Sequence, residues 1–200
     1  FIRNTLNEYA GPYKDMANMV TLGNGSPLFA NNDITLYPDG TRKFEALLED
    51  LKKAKHHIHM EYYIVKSDHI GREIFDLLME KSLAGVKVRF IMDKVGGRRF
   101  DKAYLKEIRA SGIELVTYSA HFASIGKYID TSINYRNHRK MVIIDGTIGY
   151  LGGNNIGDEY LGKSKFGYWR DTHARIQGDF VLGLQALFFD DFFSVLSINE

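Results

Sequence analysis

The residues of this chain best suited to chemistry lie in one stretch, Asn137-His138-Arg139-Lys140-Met141-Val142-Ile143-Ile144-Asp145-Gly146, followed at once by Thr147-Ile148-Gly149-Tyr150-Leu151-Gly152-Gly153-Asn154-Asn155. An imidazole offers a nucleophile or a base, a lysine a fixed positive charge, and an asparagine neutral donors. Residues 141–144 and 147–151 are β-prone runs joined by Asp145-Gly146, a dipeptide that turns a tight hairpin. Side chains alternate along a strand, so His138 and Lys140 share a face, roughly 7 Å apart along the chain. Gly152 and Gly153 lack Cβ atoms, which lets backbone amides approach an anion, and the Asn154 side chain adds a donor. Together these groups make a corner suited to a phosphate.

The elements that must position this corner follow from periodicity. Strands are expected over residues 33–37, 56–65, 86–92 and 113–118, with helices over 42–54, 71–84 and 102–110 between them. Thr41 is the expected cap of the first of these helices, whose apolar face is Phe44, Leu47, Leu48 and Leu51. The alternation predicts an α/β fold, a mostly parallel central sheet flanked by helices on both faces. Beyond the hairpin, residues 172–176 add a strand. Residues 180–196 then read as a buried helix with Val181, Leu184, Leu187, Phe188, Phe192 and Val195 inward. Residues 1–32, dense in Gly, Pro and Asn, read as an irregular arm ahead of a folded unit over 33–200.

Composition narrows the function. At 200 residues, 44% hydrophobic and 26% charged, the chain suits one packed domain. Its 26 Lys and Arg against 25 Asp and Glu leave a net charge of +1, which supplies no global field for nucleic acid or an anionic membrane. Anion binding must therefore come from local clusters, and Arg98, Arg99 and Lys102 form one that could meet lipid headgroups, nucleic-acid phosphates or only solvent. The absence of Cys excludes disulfides, thiolate metal sites and Cys nucleophiles. No apolar run approaches the roughly 20 residues that span a bilayer, so no transmembrane helix is expected in this segment. His57, His59 and Glu61 share a strand face like a metal set, but further His or Cys ligands are lacking, and neither metal nor cofactor is expected.

His138-x-Lys140-x-x-x-x-Asp145 followed by Gly152-Gly153-Asn154-Asn155 resembles the HKD signature, with its Gly-Gly-x-Asn, of the phospholipase D superfamily. The surrounding text, including Asn134-Tyr135-Arg136, Asn155-Ile156-Gly157-Asp158-Glu159-Tyr160 and Trp169-Arg170-Asp171, is similar to bacterial cardiolipin synthases. The resemblance implies a phospholipase D-like α/β sandwich holding a single HKD half, and transfer of a phosphatidyl group between two phosphatidylglycerol molecules to give cardiolipin and glycerol. It implies that His138 attacks phosphorus and carries a phosphohistidine, while Lys140 and Asn154 bind the non-bridging oxygens. It points to Asp171 as the carboxylate that accepts from the other ring nitrogen of His138. Asp145, named in the signature, is explained first by its place in the turn. Glu61 is a weaker candidate for lining the pocket.

The implied partners are phosphatidylglycerol or another anionic phospholipid, a membrane surface, and a second HKD half from the same longer chain or a homodimer. No other His-x-Lys occurs, and the ends at Phe1 and Glu200 read as those of an excerpt. Nucleic acid is not expected; a homodimeric phosphodiesterase or nuclease and a non-catalytic module binding anionic phospholipid are the alternatives. Residues 119–133, with Phe122 and Ile125 among small polar residues, are a candidate lipid-touching loop.

Overall fold

The computed structural model describes residues 11–25, 27–118, 137–163 and 167–199. Seven strands, β1 (Asn32–Asp39), β2 (His57–Tyr62), β3 (Lys87–Asp93), β4 (Glu114–Tyr118), β5 (Lys140–Ile144), β6 (Ile148–Gly152) and β7 (Arg170–Gly178), form one sheet in the order β1-β7-β6-β5-β2-β3-β4. Five α-helices accompany it: α1 (Lys14–Asn24), α2 (Gly40–Lys53), α3 (His69–Leu83), α4 (Lys102–Ala110) and α5 (Phe180–Asn199).

The α/β class stands, but the sheet is mixed rather than mostly parallel. Only β2–β3 and β3–β4 are parallel, the two pairs linked by helical crossovers through α3 and α4. The Asp-Gly hairpin makes β5 and β6 antiparallel, and β5 docks antiparallel on β2. β7 and β1 then extend that antiparallel half.

Alternation along the strands divides the core between two faces. Ile58, Met60, Val88, Phe90, Val142 and Ile144 pack beneath α2, α3 and α4, where Phe44, Leu47, Leu51, Ile74, Phe75 and Ile108 are essentially inaccessible. Met141, Ile143, Ile91 and Ile176 pack on the other face against Val181, Leu184, Phe188 and Phe192 of α5. Every residue of β5 is consequently buried. Burial of each such large side chain stabilises by about 1.5–3 kcal/mol, so the strand behind the reactive corner is held firmly from both sides.

Three expectations change. The cap of α2 is Asp39, whose carboxylate accepts from Arg42 N at 3.0 Å, not Thr41. The expected irregular arm contains α1 in its described part, closed by Gly25 in the left-handed region at φ 65°. By length and composition, α5 is the one helix among the described residues apolar enough to cross a membrane, because its core stripe and its remaining aromatic residues together form a long apolar run. Its stripe Val181, Leu184, Phe188, Phe192 and Val195 is buried, with Leu187 half-buried, as a core helix requires.

Candidate active site at the open end of the hairpin

Strand directions bring the ends of β1, β2, β3, β4 and β6 and the starts of β5 and β7 to one side of the sheet. Register pairs Tyr62 with Lys140 and Gly152 with His173, and His173 with Tyr37. Lys140 and Gly152 stand one step beyond the Met141–Leu151 pair, so Tyr62, Lys140, Gly152, His173 and Tyr37 form a row across five strands.

His138 lies just before β5, exposed, with its ring 4.7 Å from that of Tyr63. Lys140 is buried, donates its ammonium to the His138 carbonyl, and lies 5.6 Å from the centre of the same Tyr63 ring. Both side chains therefore meet Tyr63, consistent with the shared face expected from their spacing. Burial lowers the Lys140 ammonium to about 8, against the opposing pull of Asp171. Partial burial and the Lys140 charge lower His138 below the ordinary imidazole range, with Asp93 pulling it back up. At neutral pH His138 thus presents a free ring nitrogen beside a cation, the protonation pattern that attack on a phosphodiester needs.

The two glycines serve a different purpose from the one expected. A Cβ on Gly152 would collide with His173 Nδ1 and the Thr172 carbonyl, and one on Gly153 would collide with the Asp171 carboxylate. The Gly153 amide donates to Thr172 O at 3.0 Å. Their missing side chains are filled by neighbouring protein, and the Gly153 amide is spent within the fold.

His173 is the residue that sequence reasoning missed. It is fully buried, and neither ring nitrogen has a hydrogen-bond partner among the described residues. Burial, then the charges of Lys43 and Lys140, push it down to about 2. Lys43, also fully buried, donates to Tyr62 Oη at 3.0 Å, and burial lowers its ammonium well below the usual range. The only signal available was parity with Asp171 along β7.

Asn154 and Asn155 differ sharply. Asn154 is fully buried with neither amide atom partnered among the described residues, whereas Asn155 accepts from Ile64 N at 3.0 Å and donates to Tyr160 Oη at 2.7 Å. Counted strictly, the Gly-Gly-x-Asn spacing falls on Asn155 rather than Asn154.

The description "Cardiolipin synthase, PLD-like domain" matches residues 47–165, more than half of the chain. The chain belongs to this family. It is 51% identical over 156 residues to cardiolipin synthase 2 of Bacillus anthracis, covering 78% of this chain and 30% of that protein. To the major cardiolipin synthase ClsA of Bacillus subtilis (strain 168) it is 45% identical over 179 residues, covering 89% and 36%. The chain therefore spans about a third of the length of these curated relatives. The fold is similar to that of the phospholipase D family member Nuc from Salmonella typhimurium, with TM-score 0.58 and 19% identity, covering 81% of this chain and 93% of that one.

Within this phospholipase D-like frame, the remaining candidates take distinct places. Asp145 sits at the far end of β5 from His138. Its carboxylate accepts from the amides of Lys55 at 2.9 Å, His56 at 2.8 Å and His57 at 2.9 Å, in a residue held at φ 52°. Burial raises its pKa, but those amides outweigh it and the net shift is downward. Asp145 is thus built into the turn that aligns β5 with β2.

Asp171 faces Gly153 and acts electrostatically on Lys140, while the carboxylate whose charge reaches His138 is Asp93. No hydrogen bond joins Asp171 to His138 in this structure; Asp171 instead accepts from the amide of Thr172 at 2.8 Å.

Glu61 points to the α5 face, opposite Lys140, because it alternates with Tyr62. There Asn137 Nδ2 donates to its Oε1, Asn137 Oδ1 accepts from Arg139 N at 3.1 Å, and Arg139 pairs with Asp191 at 2.6 Å. Burial and the neighbouring Asp191 charge raise Glu61 to about 8, so it carries a proton at neutral pH. This network pins the residues on either side of His138.

His57 and His59 stack 4.6 Å apart and share Gln185, with His59 also against Arg89 at 3.1 Å. Burial lowers His59 to about 4. The face reads as a packed imidazole pair, and no group of three or more His, Cys, Asp or Glu suited to a metal occurs among the described residues. The loop at 119–133 and the segment Asn134-Tyr135-Arg136 lie outside the described residues.

Proposed function

We propose that this chain is one catalytic half of a phosphatidyltransferase that converts two phosphatidylglycerol molecules into cardiolipin and glycerol. The observation that carries this reading is His138, exposed and unprotonated beside the buried Lys140 ammonium, in a chain 51% identical over its matched length to a cardiolipin synthase. A ring nitrogen of His138 attacks phosphorus; the P–O bond to the terminal glycerol breaks, and that oxygen takes a proton from a second imidazole. The phosphatidyl group is then held through a P–N bond. The hydroxyl of a second phosphatidylglycerol attacks phosphorus, gives its proton to the same second imidazole, and releases neutral His138 as the P–N bond breaks. Lys140 and Asn154 stabilise the charge that grows on the non-bridging oxygens.

The second imidazole comes from another HKD half, in the same longer chain or in a second copy. His173 is unsuited to that part, because it is fully buried and keeps no proton near neutral pH. The site of action is the membrane surface, where the substrate resides.

The test is incubation with phosphatidylglycerol vesicles, mass-spectrometric detection of cardiolipin, and mapping of an acid-labile phosphoryl adduct. An adduct on His138, with cardiolipin lost in His138→Ala, is the expected result. Cardiolipin formation surviving His138→Ala, or an adduct on a different residue, overturns the mechanism.

A further inference from the structure

Beside the reactive corner runs a cleft of about 430 Å³ between residues 63–66 and residues 95–99. Tyr63, the residue whose ring lies against His138, lines it. Its rim carries Lys66, Arg98 and Arg99 against a single carboxylate, Glu159, which pairs with Lys66 at 2.6 Å. Arg98 and Arg99 are exposed and make no ion pair with the described residues.

The loop that presents the two arginines is fastened to the site. Asp93 Oδ1, at the end of β3, accepts from Val95 N at 2.8 Å and Gly96 N at 2.9 Å, and Gly97 N donates to Asp93 O at 2.8 Å. Gly96 lies so close to the backbone of Tyr63 that a Cβ would collide with the Tyr63 carbonyl. The same Asp93 that folds this turn is the carboxylate felt by His138. Three cations and one anion leave a local excess of positive charge in a chain whose net charge is only +1, as recognition of an anionic phosphodiester requires. The volume falls within the range of about 300–1,000 Å³ typical of small-ligand sites.

We propose that this cleft binds the headgroup phosphate of the second, acceptor phospholipid, an anionic phosphatidylglycerol, and delivers its glycerol hydroxyl past Tyr63 toward His138. The assignment of acceptor rests on the transferase reading above. Arg98 and Arg99 hold the phosphodiester, and guanidinium groups suit this because they present paired donors to phosphate oxygens.

The experiment is calorimetric titration of the 200-residue chain with dihexanoyl phosphatidylglycerol below its aggregation concentration, with dihexanoyl phosphatidylcholine and inorganic phosphate as parallel ligands. The anionic lipid should bind at least about tenfold more tightly than either comparison ligand. Arg98→Gln/Arg99→Gln should weaken it by about tenfold or more, an effect on the order of 1.4 kcal/mol, with an unchanged melting temperature since both side chains are exposed. Glu159→Gln frees Lys66 and should tighten binding severalfold. Unchanged affinity in the double variant, weaker binding in Glu159→Gln, or phosphate binding as tight as the lipid overturns the proposal, the last by showing a bare anion site. Binding is read without turnover: a missing His138 adduct would defeat the transferase reading alone, and unchanged binding in the double variant would defeat the cleft alone.

Discussion

The two ends of the β5–β6 hairpin are built to opposite rules. At the turn, the Asp145 carboxylate gathers three backbone amides and its own amide donates to His57 O at 3.0 Å. At the open end, Asn154 and His173 are buried with no hydrogen-bond partner among the described residues, and the buried Lys140 and Lys43 ammoniums act on His173. Satisfied polar groups add stability, whereas unsatisfied buried ones cost about 1–3 kcal/mol each. The hairpin therefore anchors the fold at one end and holds buried polar groups at a cost in stability at the other, a division often found at sites where strain and function coincide.

Four substitutions test that division, the most damaging first. His138→Ala should lower transfer by about a thousandfold or more while leaving the thermal midpoint unchanged, because the ring is exposed. Asp145→Ala should instead remove the acceptor of three amides, two of them exposed to water, and lower stability by roughly 1–3 kcal/mol in chemical denaturation. Loss of activity in a fully stable Asp145→Ala protein would erase the contrast between the two ends.

The neighbouring asparagines sharpen it. Asn155→Ala breaks two hydrogen bonds and should cost roughly 1–3 kcal/mol, whereas Asn154→Ala breaks none among the described residues, should stay within about 1 kcal/mol, and should reduce transfer. The reverse pattern, with transfer following Asn155, would move the phosphate donor to the position that the Gly-Gly-x-Asn spacing indicates.

A pH profile addresses Lys140. Transfer needs its ammonium, so activity should fall as pH rises through about 8, and fall again on the acid side as His138 takes a proton below the ordinary imidazole range. Lys140→Arg keeps its charge at every accessible pH and should abolish the alkaline limb, at a reduced maximal rate. An unaltered limb would assign it to another group.

The smallest effect concerns Glu61. Its folded pKa, about 8 against 4.5 for a free side chain, lies above the unfolded value. The stability it contributes is complete below pH 4.5 and declines as pH rises through 8. Glu61→Gln keeps the hydrogen bond from Asn137 without that titration, so denaturant midpoints should vary less across this window than in the unmodified chain.

Local patterns carried much of this molecule. The Asp145-Gly146 turn, the shared face of His138 and Lys140, the apolar faces of α2 and α5 and the alternation of strands and helices were all legible, because each depends on residues close together in sequence. The signature also displayed the candidate histidine, His138. Its Asp and Gly-Gly, however, gain their physical meaning only from distant partners: residues 55–57 for Asp145, and residues 171–173 for the glycines.

What the sequence by itself determined was therefore the strands and the helices other than α1, the faces they bury, and the presence of an imidazole beside an ammonium. The tertiary structure alone decided that β5 lies antiparallel to β2, that β7 brings His173 beside Gly152, and that the Asp93 turn sets Gly96 against Tyr63 with Arg98 and Arg99 lining the same cleft. The physical reason is range. Helical and strand periodicities repeat within a few residues, while sheet order and side-chain burial arise from contacts between segments far apart in the chain, which no local pattern records.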